Sequence, residues 1–278
     1  MEMIPLYLLI FSFVIGFLSA ASYFDIKKRE VPDTLSYIFI LGSLFLLLIL
    51  AIYQHSISAL EFLPLSIALF FGFSYLMYWL GQWGGGDVKM MLGLGILFTS
   101  MNLKSNFSFI DLFMNILIFG GFYGLLATLA YGIIKIKKLS KFLKWYDLII
   151  VGGAAASILF IYYYFAFPLN LLLVLLVFLL FSMRYIYVIM DNLMYVFVPV
   201  NRLTEGDWLA EDVKKENKLI VQVKSTGLTK VDIEKLKEEK IDKVLIKIGL
   251  PFIPALLLGV IITILFANPI MMLFVYSL

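Results

Sequence analysis

The sequence predicts an all-α polytopic membrane protein with about eight transmembrane helices and a small cytoplasmic α+β module before the last helix. The chain is 63% hydrophobic and only 15% charged, whereas soluble domains are roughly 45–50% apolar and 25% charged. Several windows of about 20 residues carry almost no charge, which is long enough to cross a hydrocarbon core of roughly 30 Å. One segment near the C-terminus differs from this pattern, since it is polar and rich in lysine.

Eight apolar windows are predicted as membrane spans, and the fourth is the shortest. They are residues 5–24, 34–53, 61–80, 88–101, 109–134, 147–166, 169–190 and 250–275. If the N-terminus lies outside, 21 of the 22 lysines and arginines fall on the cytoplasmic side and only Lys104 does not. This asymmetry follows the positive-inside rule and predicts that both termini lie outside.

The polar segment 199–248 is predicted to fold as the α+β module. Two short runs indicate strands, LIVQV (219–223) and KVLIKI (243–248), and residues 229–239 indicate a helix. Thr229 with an aspartate three positions later is a capping-box variant that marks the start of this helix.

The predicted domain division follows from these segments. Residues 1–198 form a transmembrane core, residues 199–248 the module and residues 249–278 the last helix. The lysine-rich surface of the module indicates a solvated face, and binding to anionic lipid headgroups is the open alternative.

Several classes of site are excluded by composition. The chain has no cysteine and a single histidine, His55, so disulfides, thiolate metal sites and multi-histidine zinc or iron sites are ruled out. We therefore expect no metal and no cofactor. The net charge of +3 gives no indication of nucleic-acid binding.

Six aspartates lie near span ends and are candidates for chemistry, because ionisable residues at membrane depth are usually functional. They are Asp25, Asp33, Asp87, Asp111, Asp147 and Asp191. On the predicted orientation only Asp111 lies outside. Asp147 fits a charge at a helix N-terminus, Asp33 is expected to cap span two, and Asp191 stays a spare candidate.

Asp25 and Asp87 have the most distinctive surroundings. Asp25 closes span one, and Asp87 opens span four directly after three glycines, residues 84–86. Carboxylates from two spans on one membrane face would share a proton if they met, which equips them to activate water and to protonate a leaving amine. The glycines would allow close approach and movement, although a plain turn or close helix packing is the open alternative.

Two motifs resemble the type IV prepilin and preflagellin (archaellin) peptidases, which are GxGD-type membrane aspartyl proteases. The first is Asp25, a basic connector and Pro32-Asp33, and the second is Gly84-Gly85-Gly86-Asp87-Val88-Lys89. The resemblance covers roughly the first hundred residues, and the stretch GLPFIPALLLG is similar to the last helix of archaeal members. It implies that Asp25 and Asp87 are catalytic. It also implies that four further residues either bind the substrate or shape the loops of the site, namely Gly84, Gly86, Lys89 and Pro32.

The resemblance also implies an activity and a location. Such an enzyme removes the short basic leader, or class III signal peptide, from prepilin-like or archaellin precursors at the cytoplasmic face of the plasma membrane. Its partners would be these precursors and the lipid bilayer. The cysteine-rich region of the larger bacterial enzymes is missing here, which favours an archaeal-type enzyme without methyltransferase activity. The sequence does not indicate the oligomeric state.

Two other functions stay open at this point. A presenilin-like or signal-peptide-peptidase-like protease shares GxGD, and Pro254-Ala255-Leu256 spells the PAL tripeptide of that group. Its first aspartate, however, follows a tyrosine in the span adjacent to the GxGD span, whereas Asp25 follows Phe24 and lies further away. A proton-coupled transporter also uses glycine-broken helices, but its sites lie near the membrane midplane.

Overall fold

The computed structural model describes residues 4–54, 60–99, 108–167, 169–216, 218–267 and 269. His55 and Lys104 lie outside these ranges. The helices are α1 (Ile4–Lys28), α2 (Asp33–Tyr53), α3 (Leu63–Trp79), α4 (Gly85–Phe98), α5 (Phe109–Ile134), α6 (Ile136–Leu139), α7 (Trp145–Tyr164), α8 (Leu169–Leu193), α9 (Lys230–Glu238) and α10 (Ile253–Phe266). The strands are β1 (Tyr195–Pro199), β2 (Trp208–Leu209), β3 (Val213–Lys215), β4 (Lys218–Val221) and β5 (Lys243–Lys247).

Five of the described helices are long and apolar enough to cross a membrane. They comprise Leu6–Lys28, Asp33–Tyr53, Phe109–Ile134, Trp145–Tyr164 and Leu169–Leu193. Helices α3 and α10 are apolar but shorter, and α4 has 14 residues, which gives a length of about 21 Å. The predicted count of eight spans is therefore not confirmed. The last predicted span, 250–275, also runs beyond the described residues.

Helix α4 packs between α2 and α3. Nine of its residues are buried, and two glycines admit large rings from its neighbours. A Cβ on Gly93 would lie 2.5 Å from the Phe39 ring, and one on Gly95 would lie 2.8 Å from the Phe70 side chain. Because α4 is enclosed by other helices, its apolar side chains face protein, and this packing fixes the helix that carries Asp87.

Helix α10 packs against α1 and is joined to α5 by polar contacts. The Asn115 side-chain amide donates to the Thr263 hydroxyl at 2.9 Å and to the Ala267 carbonyl at 2.7 Å. Since Asn115 is almost fully buried, these two bonds satisfy an amide that would otherwise destabilise the interior. They hold the far end of α10 in place.

The contacts group the chain into two compact units. The first unit consists of Met1–Gly124 and Phe197–Pro269, and the second contains Leu125–Val196. Within the second unit the Arg184 Nε donates to the Asp147 carboxylate at 3.2 Å, which joins α8 to the start of α7. Asp147 also accepts the backbone N–H of Lys144 at 2.7 Å, as predicted for an acid at a helix N-terminus. The predicted domain boundaries stay a prediction.

Residues 195–247, called here the strand module, contain two small sheets and α9. One sheet has the strand order β1-β5-β2, and β3 pairs with β4 in an antiparallel hairpin. The predicted strands at 219–223 and 243–248 are found as β4 and β5, and the predicted helix as α9. The predicted cap is also found, because the Asp232 backbone N–H donates to the Thr229 hydroxyl at 3.2 Å. Strands β1, β2 and β3 were not predicted.

Candidate active site

Asp25 lies in the last turn of α1 and is held at the start of a distant helix. Its side chain is buried, with 8% of the residue exposed. Its Oδ2 accepts a hydrogen bond at 2.9 Å from the backbone N–H of Ile253, the first residue of α10. The free N–H groups and the positive end of the helix dipole favour a carboxylate at such a position. The contact therefore fixes one oxygen of Asp25.

Asp87 is the third residue of α4 and bonds back to the start of its own helix. Its Oδ2 accepts the backbone N–H of Gly84 at 2.8 Å, and Gly84 has an extended backbone at φ −83 and ψ 162. This contact is the backbone half of a capping box. Asp87 is partly buried and lines the same cavity as Asp25.

The two carboxyl groups line one cavity of about 390 Å³. One comes from the last turn of α1 and the other from the first turn of α4. Two carboxylates in close proximity do not both ionise readily, and the proton that they share belongs to the pair. The structure therefore places Asp25 and Asp87 on one cavity, and their catalytic role stays a prediction.

The three glycines before Asp87 differ in what they permit. A Cβ on Gly86 would lie 3.1 Å from the Val31 Cβ, in the connector between α1 and α2, whereas a Cβ on Gly85 would meet nothing within 4 Å. Gly86 thus allows the two motif segments to pack against each other. The left-handed glycine of this region is Gly81, with φ 66, which turns the chain just before the motif.

An aromatic contact ties the loop before Asp87 to the start of α10. The ring centroids of Trp83 and Phe252 are 4.4 Å apart, and Trp83 also meets Phe73 edge-on at 5.6 Å. Trp83 is almost completely buried. Because Phe252 directly precedes Ile253, the donor to Asp25 and the loop before Asp87 share one anchor.

Pro32, Asp33 and Lys89 lie together at the start of α2. Pro32 occupies the N-cap position, and no side-chain capping bond is present, so the expectation that Asp33 caps this helix is wrong. Asp33 is instead the first helical residue, and its side chain pairs with Lys89 at 2.5 Å. The Lys89 ammonium also lies 4.9 Å from the Tyr37 ring. Lys89 thus joins the α4 motif to α2.

The match with known families covers both motifs. Residues 12–133 match the family model described as the type IV leader peptidase family. The matched segment is a little under half of the chain, and it supports a relation to the type IV leader peptidase family. No curated protein and no solved structure matches the chain. The matched range contains Asp25, Asp87 and all the other site residues predicted from the sequence, and it ends before the strand module.

The match to the leader peptidase family supports a peptidase, and therefore a hydrolase, of a family whose substrates are prepilin-like precursors. The apolar helices and the family together indicate a multi-pass membrane protein. Among the described residues, no group of three or more His, Asp or Glu side chains is placed to hold a metal ion.

Arg29 is a cavity residue of the leader peptidase region that sequence reasoning treated only as part of the basic connector. Its backbone has the left-handed φ of 58, which is uncommon for a residue with a side chain. Its guanidinium donates to the carbonyl of Gly249. The contact joins the α1–α2 connector to the segment that precedes α10, and no local pattern in the sequence indicates it.

The other three aspartates near span ends lie away from the cavity or accept hydrogen bonds at the start of their own helices. Asp111 accepts the backbone N–H of Ser108 at 2.7 Å at the start of α5. Asp191 is exposed in the last turn of α8. Neither Asp191 nor Asp147 is among the residues that line the cavity.

The strand module supplies a wall of the cavity that the sequence did not predict. Eight of the nineteen lining residues belong to it. They come from the loops 204–208 and 226–229, more than a hundred positions after the GGGD motif. The only local signal was a pair of turn-forming stretches, TEGD and STGLT, which by themselves predict no site.

Proposed function

We propose that this protein is a membrane aspartyl endopeptidase of the leader peptidase type. It removes the short basic leader of prepilin-like or archaellin precursors and cuts at the junction between the leader and the apolar helix that follows. The observation that carries the proposal is that Asp25 and Asp87, from α1 and α4, line one cavity. The family match of residues 12–133 supports the same reaction.

The proposed mechanism uses the two carboxyl groups as one acid–base pair. The ionised member takes a proton from a water molecule, whose oxygen adds to the scissile carbonyl. The protonated member donates a hydrogen bond to that carbonyl oxygen and stabilises the charge that develops on it. The tetrahedral intermediate then collapses, the C–N bond breaks, and the leaving amine receives the proton that the first carboxyl took from water.

The charge pattern supports cleavage at the cytoplasmic face. Both carboxylates lie at helix ends rather than in the middle of an apolar segment. The connector after Asp25 contains Lys27, Lys28 and Arg29, and basic connectors are typical of the cytoplasmic side. A leader held in the cytoplasm would reach the pair without entering the hydrocarbon core.

One observation favours a presenilin-like protease as the second candidate. Pro254, Ala255 and Leu256 follow Ile253 in the first turn of α10, and the Ile253 N–H contacts Asp25. The two candidates differ in the bond that they cut. A leader peptidase cuts beside the basic leader, whereas a presenilin-like enzyme cuts within the apolar helix of its substrate, so mass spectrometry of the products separates them.

Leader removal in cells tests the proposed function. A candidate precursor is co-expressed with the wild type, Asp25→Asn or Asp87→Asn, and the mature product is measured on immunoblots. We expect both variants to lose trimming. Trimming by either variant at the wild-type rate would show that the pair is not the active site. Asp191→Asn is the matched control and should trim normally. Asp147→Ala should also trim, but it is the poorer control, because it deprives Arg184 of its partner.

A further inference from the structure

The loops of the strand module form a preformed wall opposite the ends of α1 and α4. The Gly206 N–H donates to the Leu228 carbonyl at 2.8 Å, and the Leu228 N–H donates to the Asp207 carbonyl at 2.8 Å. Gly206 and Gly227 have left-handed φ values of 95 and 84, and a Cβ on Gly227 would overlap the Gly206 backbone. The two loops are therefore joined through their backbones.

The wall is also attached to the helices that carry the carboxylates. Gly81, just before the GGGD motif, lies so close to the module that a Cβ there would be 3.0 Å from the Ser225 carbonyl oxygen. Arg29 donates to the Gly249 carbonyl, and a Cβ on Gly249 would lie 3.2 Å from the Trp208 ring. These contacts place the module loops at the mouth of the Asp25–Asp87 cavity.

The charges of the wall are segregated. The module contains ten lysines between 199 and 248, yet among its described residues that line the cavity the ionisable ones are Glu205 and Asp207. The Asp207 carboxylate accepts the Thr204 N–H at 2.7 Å, and burial raises its pKa above the usual value in spite of that bond. Glu205 is 3.8 Å from Lys230, but both side chains are largely exposed, so that pair is weak.

We propose that this wall binds the cationic leader of the precursor, with Glu205 and Asp207 as the residues that select its basic side chains. The inference rests on the proposed function. An extended peptide that enters the cavity would place its apolar helix toward the membrane helices and its leader along the module loops. A basic side chain beside Asp207 would offset the cost of burying that carboxylate. A leader with a negative charge would be repelled by the same two groups.

Kinetics with two precursors test the wall. One precursor keeps its basic leader, and in the other the basic residues are replaced by glutamine. The Glu205→Gln/Asp207→Asn variant is compared with Glu234→Gln/Glu238→Gln, which removes the same charge from exposed positions on α9. Exposed and half-exposed ion pairs change affinity by about two- to fivefold each, so we expect the first variant to raise KM for the basic precursor about tenfold. We expect kcat to stay within about twofold and the control to match the wild type.

The neutral precursor gives the decisive comparison. We expect the wild type and the Glu205→Gln/Asp207→Asn variant to cleave it with the same KM, because the charges that the wall recognises are gone. An equal rise in KM for both precursors would show a structural defect. An unchanged KM for both would show that the wall does not recognise the charge of the leader. Either result overturns the inference while leaving the proposed function intact.

Direct binding separates the inference from the cleavage reaction. A fluorescent peptide with the leader sequence is titrated against the full-length Asp25→Asn/Asp87→Asn protein in detergent, with and without the wall substitutions. We expect weaker binding only when Glu205 and Asp207 are neutralised. If the wild type cleaves no precursor but this binding difference is present, the proposed reaction is wrong and the inference that the wall binds the leader is supported. If binding is unchanged by the wall substitutions, the wall is wrong.

Discussion

The Asp25 carboxylate accepts a hydrogen bond at 2.9 Å from the backbone N–H of Ile253, which lies 228 positions later in the chain. The contact links the last turn of α1 to the first residue of α10. It makes the position of one candidate catalytic group depend on a helix that follows the strand module and lies outside the residues that match the leader peptidase family. The geometry of the site is therefore expected to respond to substitutions around the start of α10.

Phe252 is predicted to act as the anchor of this arrangement. Phe252→Ala removes the contact with Trp83 at 4.4 Å. Because Phe252 is half-buried, we expect a loss of about 1–3 kcal/mol in the free energy of unfolding. We also expect kcat to fall, since both Ile253 and the loop before Asp87 lose their shared support.

Two further variants serve as controls for Phe252→Ala. Phe252→Tyr keeps an aromatic ring at the contact and should retain most of the activity. Phe266→Ala lies at the other end of α10, where the side chain is 51% exposed, and should change neither quantity. A Phe252→Ala protein with reduced stability and unchanged kcat would show that the anchor does not act on the site.

Gly86 and Gly85 form a matched pair of substitutions. Gly86→Ala places a Cβ 3.1 Å from the Val31 Cβ, and Val31 is buried with 7% exposed, so the two motif segments must separate. A shift of this kind in a catalytic group typically costs about tenfold to a hundredfold in rate. We expect a loss of that size in kcat/KM for leader cleavage.

Gly85→Ala is the control, because its Cβ would meet nothing within 4 Å. Both substitutions raise helix propensity in the first turn of α4 by about the same amount, so that effect cancels in the comparison. We expect kcat/KM of Gly85→Ala to stay within about twofold of the wild type. Equal effects of the two substitutions would argue against close packing between the motifs as the reason for Gly86.

The Lys89–Asp33 pair is predicted to make a small contribution. The side chains are 27% and 70% exposed, and ion pairs of this kind contribute at most about 1 kcal/mol. We expect Lys89→Met and Asp33→Asn to lower the free energy of unfolding by similar small amounts. The double variant should lose no more than the larger single variant, as measured in a double-mutant cycle.

Cleavage kinetics give the second measurement on this pair. If Lys89 only joins α4 to α2, both single variants should keep kcat/KM within about threefold, which is the size of a weak surface pair. A much larger loss for Lys89→Met than for Asp33→Asn would contradict that role. It would instead assign the Lys89 ammonium a contact with the substrate.

Asp232 is predicted to make the strand module sensitive to acid. Burial of this carboxyl opposes ionisation, but hydrogen bonds from Lys224 and Thr229 together with the Lys224 charge lower its pKa to about 2. Since the folded-state pKa lies below the ordinary value of 3.8, the stabilisation is fully present above about pH 4. It is lost as the pH falls toward 2, and it amounts to about 2 kcal/mol.

Hydrogen exchange of the module amides, corrected for the intrinsic effect of pH, measures this stabilisation. In the wild type we expect protection to fall between about pH 4 and 2 by the amount given above. Asp232→Asn should have lower protection at pH 5 and little further change on acidification. A variant that keeps the wild-type pH dependence would show that another group is responsible.

Local features of the sequence predicted much of the architecture. The apolar windows matched helices, and the Thr229–Asp232 cap was correct because it depends on residues three positions apart. Strand β1 was missed because YVFVP follows directly after the apolar α8, where a short apolar run indicates a strand or a helix equally well. The count of spans was not confirmed, because apolar composition does not distinguish α4, which is enclosed by protein, from a helix that faces lipid.

The sequence by itself determined that this chain is largely apolar and helical. It also determined the two motifs that carry Asp25 and Asp87, including the three glycines directly before Asp87. Only the tertiary structure decided which groups meet those carboxylates. The Ile253 N–H, the Trp83–Phe252 contact and the module wall depend on the packing of segments far apart in the chain. Hydropathy and capping patterns report on the nearest few positions, so they contain no information about contacts made across 228 positions.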